Sequence, residues 1–101
     1  MSGPYVIRGT DGTITVASAV LESVARRAAE SVPDARVRRR GLEVAVEGGR
    51  AHVSLELIVR HGAVLPDVAR AVQEQVAAEL RGMCGLEPAG VDVVVEELVS
   101  A

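Results

Sequence analysis

Leu42-Glu43-Val44-Ala45-Val46-Glu47-Gly48-Gly49-Arg50-Ala51-His52-Val53-Ser54-Leu55-Glu56-Leu57-Ile58-Val59-Arg60 is the stretch whose reading decides the fold. Apolar and polar residues alternate on both sides of Gly48-Gly49, the period of a half-buried strand. Two glycines can both take positive φ, so the pair reads as a tight hairpin turn. That turn sets the register: Val46 opposite Ala51, Val44 opposite Val53, Leu42 opposite Leu55, apolar against apolar each time. The other face carries Glu43, Glu47, His52, Ser54, Glu56, Ile58 and Arg60, the pattern of an antiparallel sheet with one wet side.

Before the hairpin, the period changes to that of a helix. Over Ser18 to Ser31, Val20, Val24 and Ala28 recur every four residues with Leu21 and Ala25 beside them. Glu22, Arg26 and Glu30 line another face and are spaced for two i,i+4 ion pairs, each worth roughly 0.2–0.5 kcal/mol. Pro33 ends this helix. After His61-Gly62, Pro66 opens a second, with Val68, Val72, Val76 and Leu80 as its buried stripe and Ala69 and Met83 alongside. Asp67 and Arg81 suit the two ends of its dipole, and Gly82 and Gly85 are candidate C-caps. Pro88 precedes a last strand in which Val91, Val93 and Val95 alternate with Asp92 and Glu96. At the front, Tyr5–Ile7 and Gly12–Val16 are short extended candidates around the turn-rich Gly9-Thr10-Asp11-Gly12.

The order strand, helix, hairpin, helix, strand predicts an α+β, βαββαβ two-layer sandwich. Two helices would cover one face of a mainly antiparallel four-stranded sheet, ferredoxin-like or related. At 101 residues we expect one domain, with residues 1–11 a loose lead and a core over about 12–97.

Composition narrows function more by exclusion than by assignment. Tyr5 is the lone aromatic, which argues against RNA-recognition platforms and single-strand grooves that stack bases. The net charge of −3 opposes general nucleic-acid binding. All the bases are Arg, and Cys84 is the single cysteine, so a reducing, intracellular setting is expected. No stretch has the length of a membrane span, and no signal-peptide core is seen at the start.

Candidate chemistry is sparse. His52 and His61 are nine apart, which on one strand sends them to opposite faces, so no shared metal is expected. His61 has core-side parity and could approach Cys84 at the end of the second helix, but no oriented base or oxyanion site accompanies the pair. Cys84 reads as a buried helix-terminal thiol. Gly9-x-x-Gly12 matches a phosphate-clamping GxxG string but lies beside a strand, where a plain turn is the better reading. Glu43, Glu47 and Glu56 share the wet face without a cleft to act in. We expect no enzyme activity, no cofactor and no metal.

Arg36, Arg38, Arg39 and Arg40 form the one notable charge run. Extending the inward parity of Leu42, Val44 and Val46 backwards would bury Arg40, Arg38 and Arg36, which is untenable. The strand must therefore break or bulge near Gly41, or overhang the core. Two readings stay open: an edge defended by charge, or a contact site for an acidic partner, anionic lipid or RNA.

With these residues laid out, the chain resembles the alkaline-shock-protein (Gls-type) family of bacterial envelope stress response proteins. The likeness runs from Gly12 to Val95. It lies in Gly12-x-Ile14, the Val20 and Ala25 helix and Val32, and is strongest later on. There Val53-x-Leu55-x-Leu57-x-Val59-x-x-Gly62, Pro66-x-Val68, Val72-Gln73, Val76, Met83-x-Gly85-Leu86 and Val91-x-Val93-x-Val95 follow the family pattern in order. His61, Cys84, Asp34 and Ser18 depart from it, standing where Tyr, Thr, Gly and Pro are usual.

The resemblance implies a small non-enzymatic cytoplasmic protein that acts in the envelope stress response. It further implies self-assembly into a homo-oligomer and recruitment to the inner face of the membrane by a membrane-anchored partner, without direct insertion. Other branches of the family are tied to fatty-acid synthesis, so a regulatory module for a fatty-acid-synthesis enzyme is the first alternative. An RNA- or ribosome-associated module using Arg36–Arg40 is the second. The open sheet face with Ile58 and Val94, together with an exposed edge strand, is the physical candidate for self-association.

Overall fold

The computed structural model describes residues 5–100. The chain runs β1 (Tyr5–Gly9), β2 (Gly12–Val16), α1 (Ser18–Glu30), β3 (Ala35–Glu47), β4 (Arg50–Arg60), α2 (Leu65–Cys84) and β5 (Glu87–Val99). It is an α+β protein with two helices packed on one face of a sheet. The hairpin register is the expected one, with Leu42 opposite Leu55, Val44 opposite Val53 and Val46 opposite Ala51. Gly48 and Gly49 take φ of 57° and 77° at its turn, as a tight turn between right-twisted strands requires.

The core lies between that sheet face and the helices. Val44, Ala51, Val53, Leu55, Leu57 and Val59 are buried beneath Leu21, Ala25, Ala28 and Ala29 of α1 and Val68, Val72, Val76 and Leu80 of α2. Pro66 stands in the first turn of α2, and Gly85 closes it in the left-handed conformation, φ 66°. The Leu86 N–H then returns to the Leu80 carbonyl, satisfying an end carbonyl of the helix. Gly82, in contrast, lies inside the helix.

The four-stranded, ferredoxin-like sheet expected from the element order is not formed. Sheet order is β3-β4-β5, and β1 and β2 make a separate two-stranded hairpin in which Ile7 faces Ile14. Nor is the sheet mainly antiparallel: β3 runs antiparallel to β4, and β5 runs parallel to it, with α2 as the crossover that parallel strands require. A ferredoxin-like sheet would hold the first strand between β4 and β5, but these two pair directly from Arg50 to Arg60, and α1 holds part of the remaining β3 edge. The Val37 N–H donates to Glu30 Oε2 at 3.0 Å, and Arg26 donates to the carbonyls of Val37, Arg38 and Arg39 at 3.4, 3.3 and 3.2 Å. The α1 side chains already occupy that stretch of edge, while β2 pairs with β1 and enters α1 after Ala17 alone.

Three smaller expectations change with it. Arg26 and Glu30 spend themselves on β3 main chain, and the i,i+4 pairs with Glu22 and with each other are not made. The buried stripe of α1 is Leu21, Ala25, Ala28 and Ala29, whereas Val20 is 50 % exposed and Val24 half-buried. Met83, placed beside the core by spacing, is 69 % exposed.

Candidate interaction surface

The arginine run sits on a bulge. Val37 pairs with Leu57 and Leu42 with Leu55, so Arg38, Arg39, Arg40 and Gly41 together oppose Glu56 alone. This large excess of residues on one strand keeps the arginines out of the core while Leu42 resumes the inward row. Gly41 is buried against Glu56, and a Cβ built there would lie 2.7 Å from the Glu56 Cβ. No larger residue fits without moving the strand.

The four arginines do not act alike. Arg38 pairs with Glu56 at 3.0 Å and approaches Glu96 at 3.9 Å, both on the uncovered sheet face. Arg36, Arg39 and Arg40 make no ion pair among the described residues. Arg36 borders a depression of about 610 Å³ with Asp34, Ile58 and Arg60. Arg40 borders another, of about 320 Å³, with Glu43, Ser54, Glu56 and Val94. The run therefore offers exposed cations at two ends of an ion-paired centre.

Ile58 and Val94, the residues singled out for self-association, share the uncovered face without forming one patch. Ile58 is half-buried and lies opposite Glu97, while Val94 is 52 % exposed and lies opposite Glu56. They line different depressions, with Glu56 interposed. Farther along this face His52 Nε2 and Asp92 Oδ2 meet at 2.6 Å. The imidazole lies over Gly90, where a Cβ would come within 3.0 Å of the ring.

The structure separates His61 from Cys84. His61 is in the turn that ends β4, and α2 then runs back along the sheet, so Cys84 finishes near Glu87, level with Arg50. Sequence parity placed His61 toward the core but could not show which way the helix travels. Cys84 is only partly buried, where a buried thiol was expected; that burial, and secondarily the negative charge of Glu79, pushes the thiol above its ordinary value.

One surface escaped the sequence reading. Val20 and Val24 of α1 and Met83 of α2 line a groove of about 640 Å³ between the helices, flanked by Arg27, Gln75 and Glu79. A signal for it was present: apolar side chains at 20, 21, 24, 25, 28 and 29 make a stripe wider than one sheet contact needs. Assigning the whole stripe to the core hid the groove. No helix of the described residues is long and apolar enough to cross a membrane.

A family model, that of the alkaline shock protein 23 family with a cell envelope-related function, matches residues 29–100. That span takes in the end of α1 and all of β3, β4, α2 and β5, well over half of the chain. No curated protein and no solved structure gives a match.

Proposed function

The chain belongs to the alkaline shock protein 23 family, whose function is cell envelope-related, and from that premise we propose that it is a non-enzymatic scaffold which self-associates and is recruited to the inner face of the membrane by a partner protein. The observation that carries this reading is the sheet itself: both helices pack on one face, and the other carries exposed Val94, half-buried Ile58 and, among the described residues, no covering layer. A sheet face with apolar side chains and an ion-paired Arg38–Glu56–Glu96 centre suits contact with another protein. The exposed cations Arg36, Arg39 and Arg40 supply a site for an acidic partner at its margin.

Size-exclusion chromatography with light scattering, over a range of concentration and salt, tests this reading. A mass that climbs with concentration is expected, and Ile58→Asp or Val94→Asp should lower it. Monomer at every concentration, or unchanged assembly in both variants, counts against it. A second reading, a regulatory module for a fatty-acid-synthesis enzyme, is favoured by the apolar groove of Val20, Val24 and Met83. Co-purification of such an enzyme, lost in Val20→Asp, would move the assignment there.

A further inference from the structure

A three-stranded sheet has two edges, and here they differ. The β3 edge is covered where α1 reaches it, through Arg26 on three carbonyls and Glu30 on the Val37 N–H. The rest of β3 carries Glu43 and Glu47. The β5 edge has 13 residues, no basic side chain, and its one proline at the second position. Among the described residues a single side chain bonds its main chain there: Gln73 donates to the Val91 carbonyl at 2.9 Å, leaving that oxygen a second lone pair. Edges of monomeric proteins are usually blunted by charge, proline or cover, and over Val91–Val95 the β5 edge has no proline and one acid, Asp92.

The burial pattern points the same way. On central β4, Val53, Leu55 and Leu57 are fully covered, whereas Val91, Val93 and Val95, the corresponding row of β5, are only half-buried. Val94 and Leu98 are 52 % and 47 % exposed. The apolar layer under the helices thus stops at an open row of valines.

We infer that β5 pairs antiparallel with β5 of a second copy, about a two-fold axis at Val93, joining the two sheets into one of six strands. The inference rests on the self-associating reading above and names its contact. The strand is complementary to itself in this register. Val91 meets Val95 of the partner strand and Asp92 meets Val94, within the regular stretch between the irregularities at Ala89 and Glu96. Inward residues oppose inward residues, and no acid stands directly opposite another. Moving the axis one residue, to Asp92 or Val94, sets Asp92 against itself or against Glu96, where like charges repel. The acids nearest the axis also have polar partners within their own copy, Asp92 with His52 at 2.6 Å and Glu96 with Arg38 at 3.9 Å. Pairing with the free part of β3 would instead bring Glu43 and Glu47 to an acidic strand. An isologous contact of this kind closes after two copies.

Two measurements test it together. In a Cys84→Ser background, single cysteines are placed at each position from 89 to 97 and oxidised gently, with circular dichroism to confirm folding. The disulfide-linked dimer should peak at Val93→Cys, at least ten-fold above positions 89 and 97. In the wild-type chain, amide exchange at 91–95 should slow as concentration rises while that at 43–47 stays constant. Light scattering of the wild type separates the failures. A mass above monomer with neither a peak over 91–95 nor concentration-dependent protection overturns the β5 contact alone. A strict monomer overturns the contact and the self-associating reading with it.

Discussion

Arg26 on α1 donates to the main-chain carbonyl of Arg39 on β3 at 3.2 Å, and the same guanidinium reaches the carbonyls of Arg38 and Val37. One side chain thus holds the start of the bulge that keeps Arg36, Arg38 and Arg40 out of the core, because a guanidinium presents several donors in a rigid fork. Arg26 holds the bulge through its carbonyls, independently of the arginine side chains it bears.

Replacing Arg26 by Ala should therefore cost about 1–2 kcal/mol, the range for charge-assisted hydrogen bonds with partial solvent access. Urea unfolding should show a lower midpoint with an unchanged slope. Amide exchange should quicken over residues 37–41 before it does over 53–57. A loss spread evenly over the sheet would contradict this role.

The complementary prediction concerns the arginine side chains. Changing Arg36, Arg38, Arg39 and Arg40 together to Ser should alter stability by less than about 1 kcal/mol, because the ion pairs of Arg38 are exposed. Thermal unfolding checks this. Binding of an acidic partner or anionic vesicles, where present in the wild type, should fall and lose its salt dependence.

Two glycines should respond to alanine with opposite sign. Gly41→Ala drives a Cβ to 2.7 Å from the Glu56 Cβ, and both atoms are anchored to strands, so a loss of about 1–3 kcal/mol is expected. Gly82→Ala meets nothing within 4 Å inside α2 and should gain about 0.5–1 kcal/mol from helix propensity. Denaturant midpoints of the two variants decide it.

Adjacent positions on α1 should also diverge. Leu21→Ala removes a fully buried side chain and should cost about 2–5 kcal/mol through lost transfer energy and a cavity. Val20→Ala, at a groove position 50 % exposed, should cost under about 1 kcal/mol. Equal losses would mean that the face of α1 is wrongly assigned.

Cys84 offers a test by pH. Its thiol is raised from 9.0 by burial first and by Glu79 second, so the folded state holds the proton more tightly than the unfolded state. The resulting stabilisation is full below the ordinary thiol value and is lost as pH climbs through the raised one. Alkylation at pH 8 should accordingly be slower in the folded protein than in urea, since thiolate is the reacting species. Cys84→Ser should flatten the alkaline end of the stability curve.

Much of this architecture is decided within short stretches of chain. The Gly48-Gly49 turn determines the β3–β4 register, because two adjacent residues at positive φ permit a single tight geometry and alternation leaves one face apolar. Pro66 and Gly85 bound α2 by the same local logic, and the forbidden burial of Arg36, Arg38 and Arg40 demands a break near Gly41. Tertiary structure decided what local rules leave equal. Val20 and Leu21 have the same helical period on paper, and only the direction of α1 against the sheet buries one and opens the other to the groove. β2 stands outside the sheet because β5 pairs directly with β4, leaving no place between them, while Arg26 and Glu30 bond part of the β3 edge. His61 and Cys84 were parted by the run of α2 along β4. Such outcomes turn on which partners reach a hydrogen-bonding edge or an apolar surface first in space, and spacing along the chain carries no record of that.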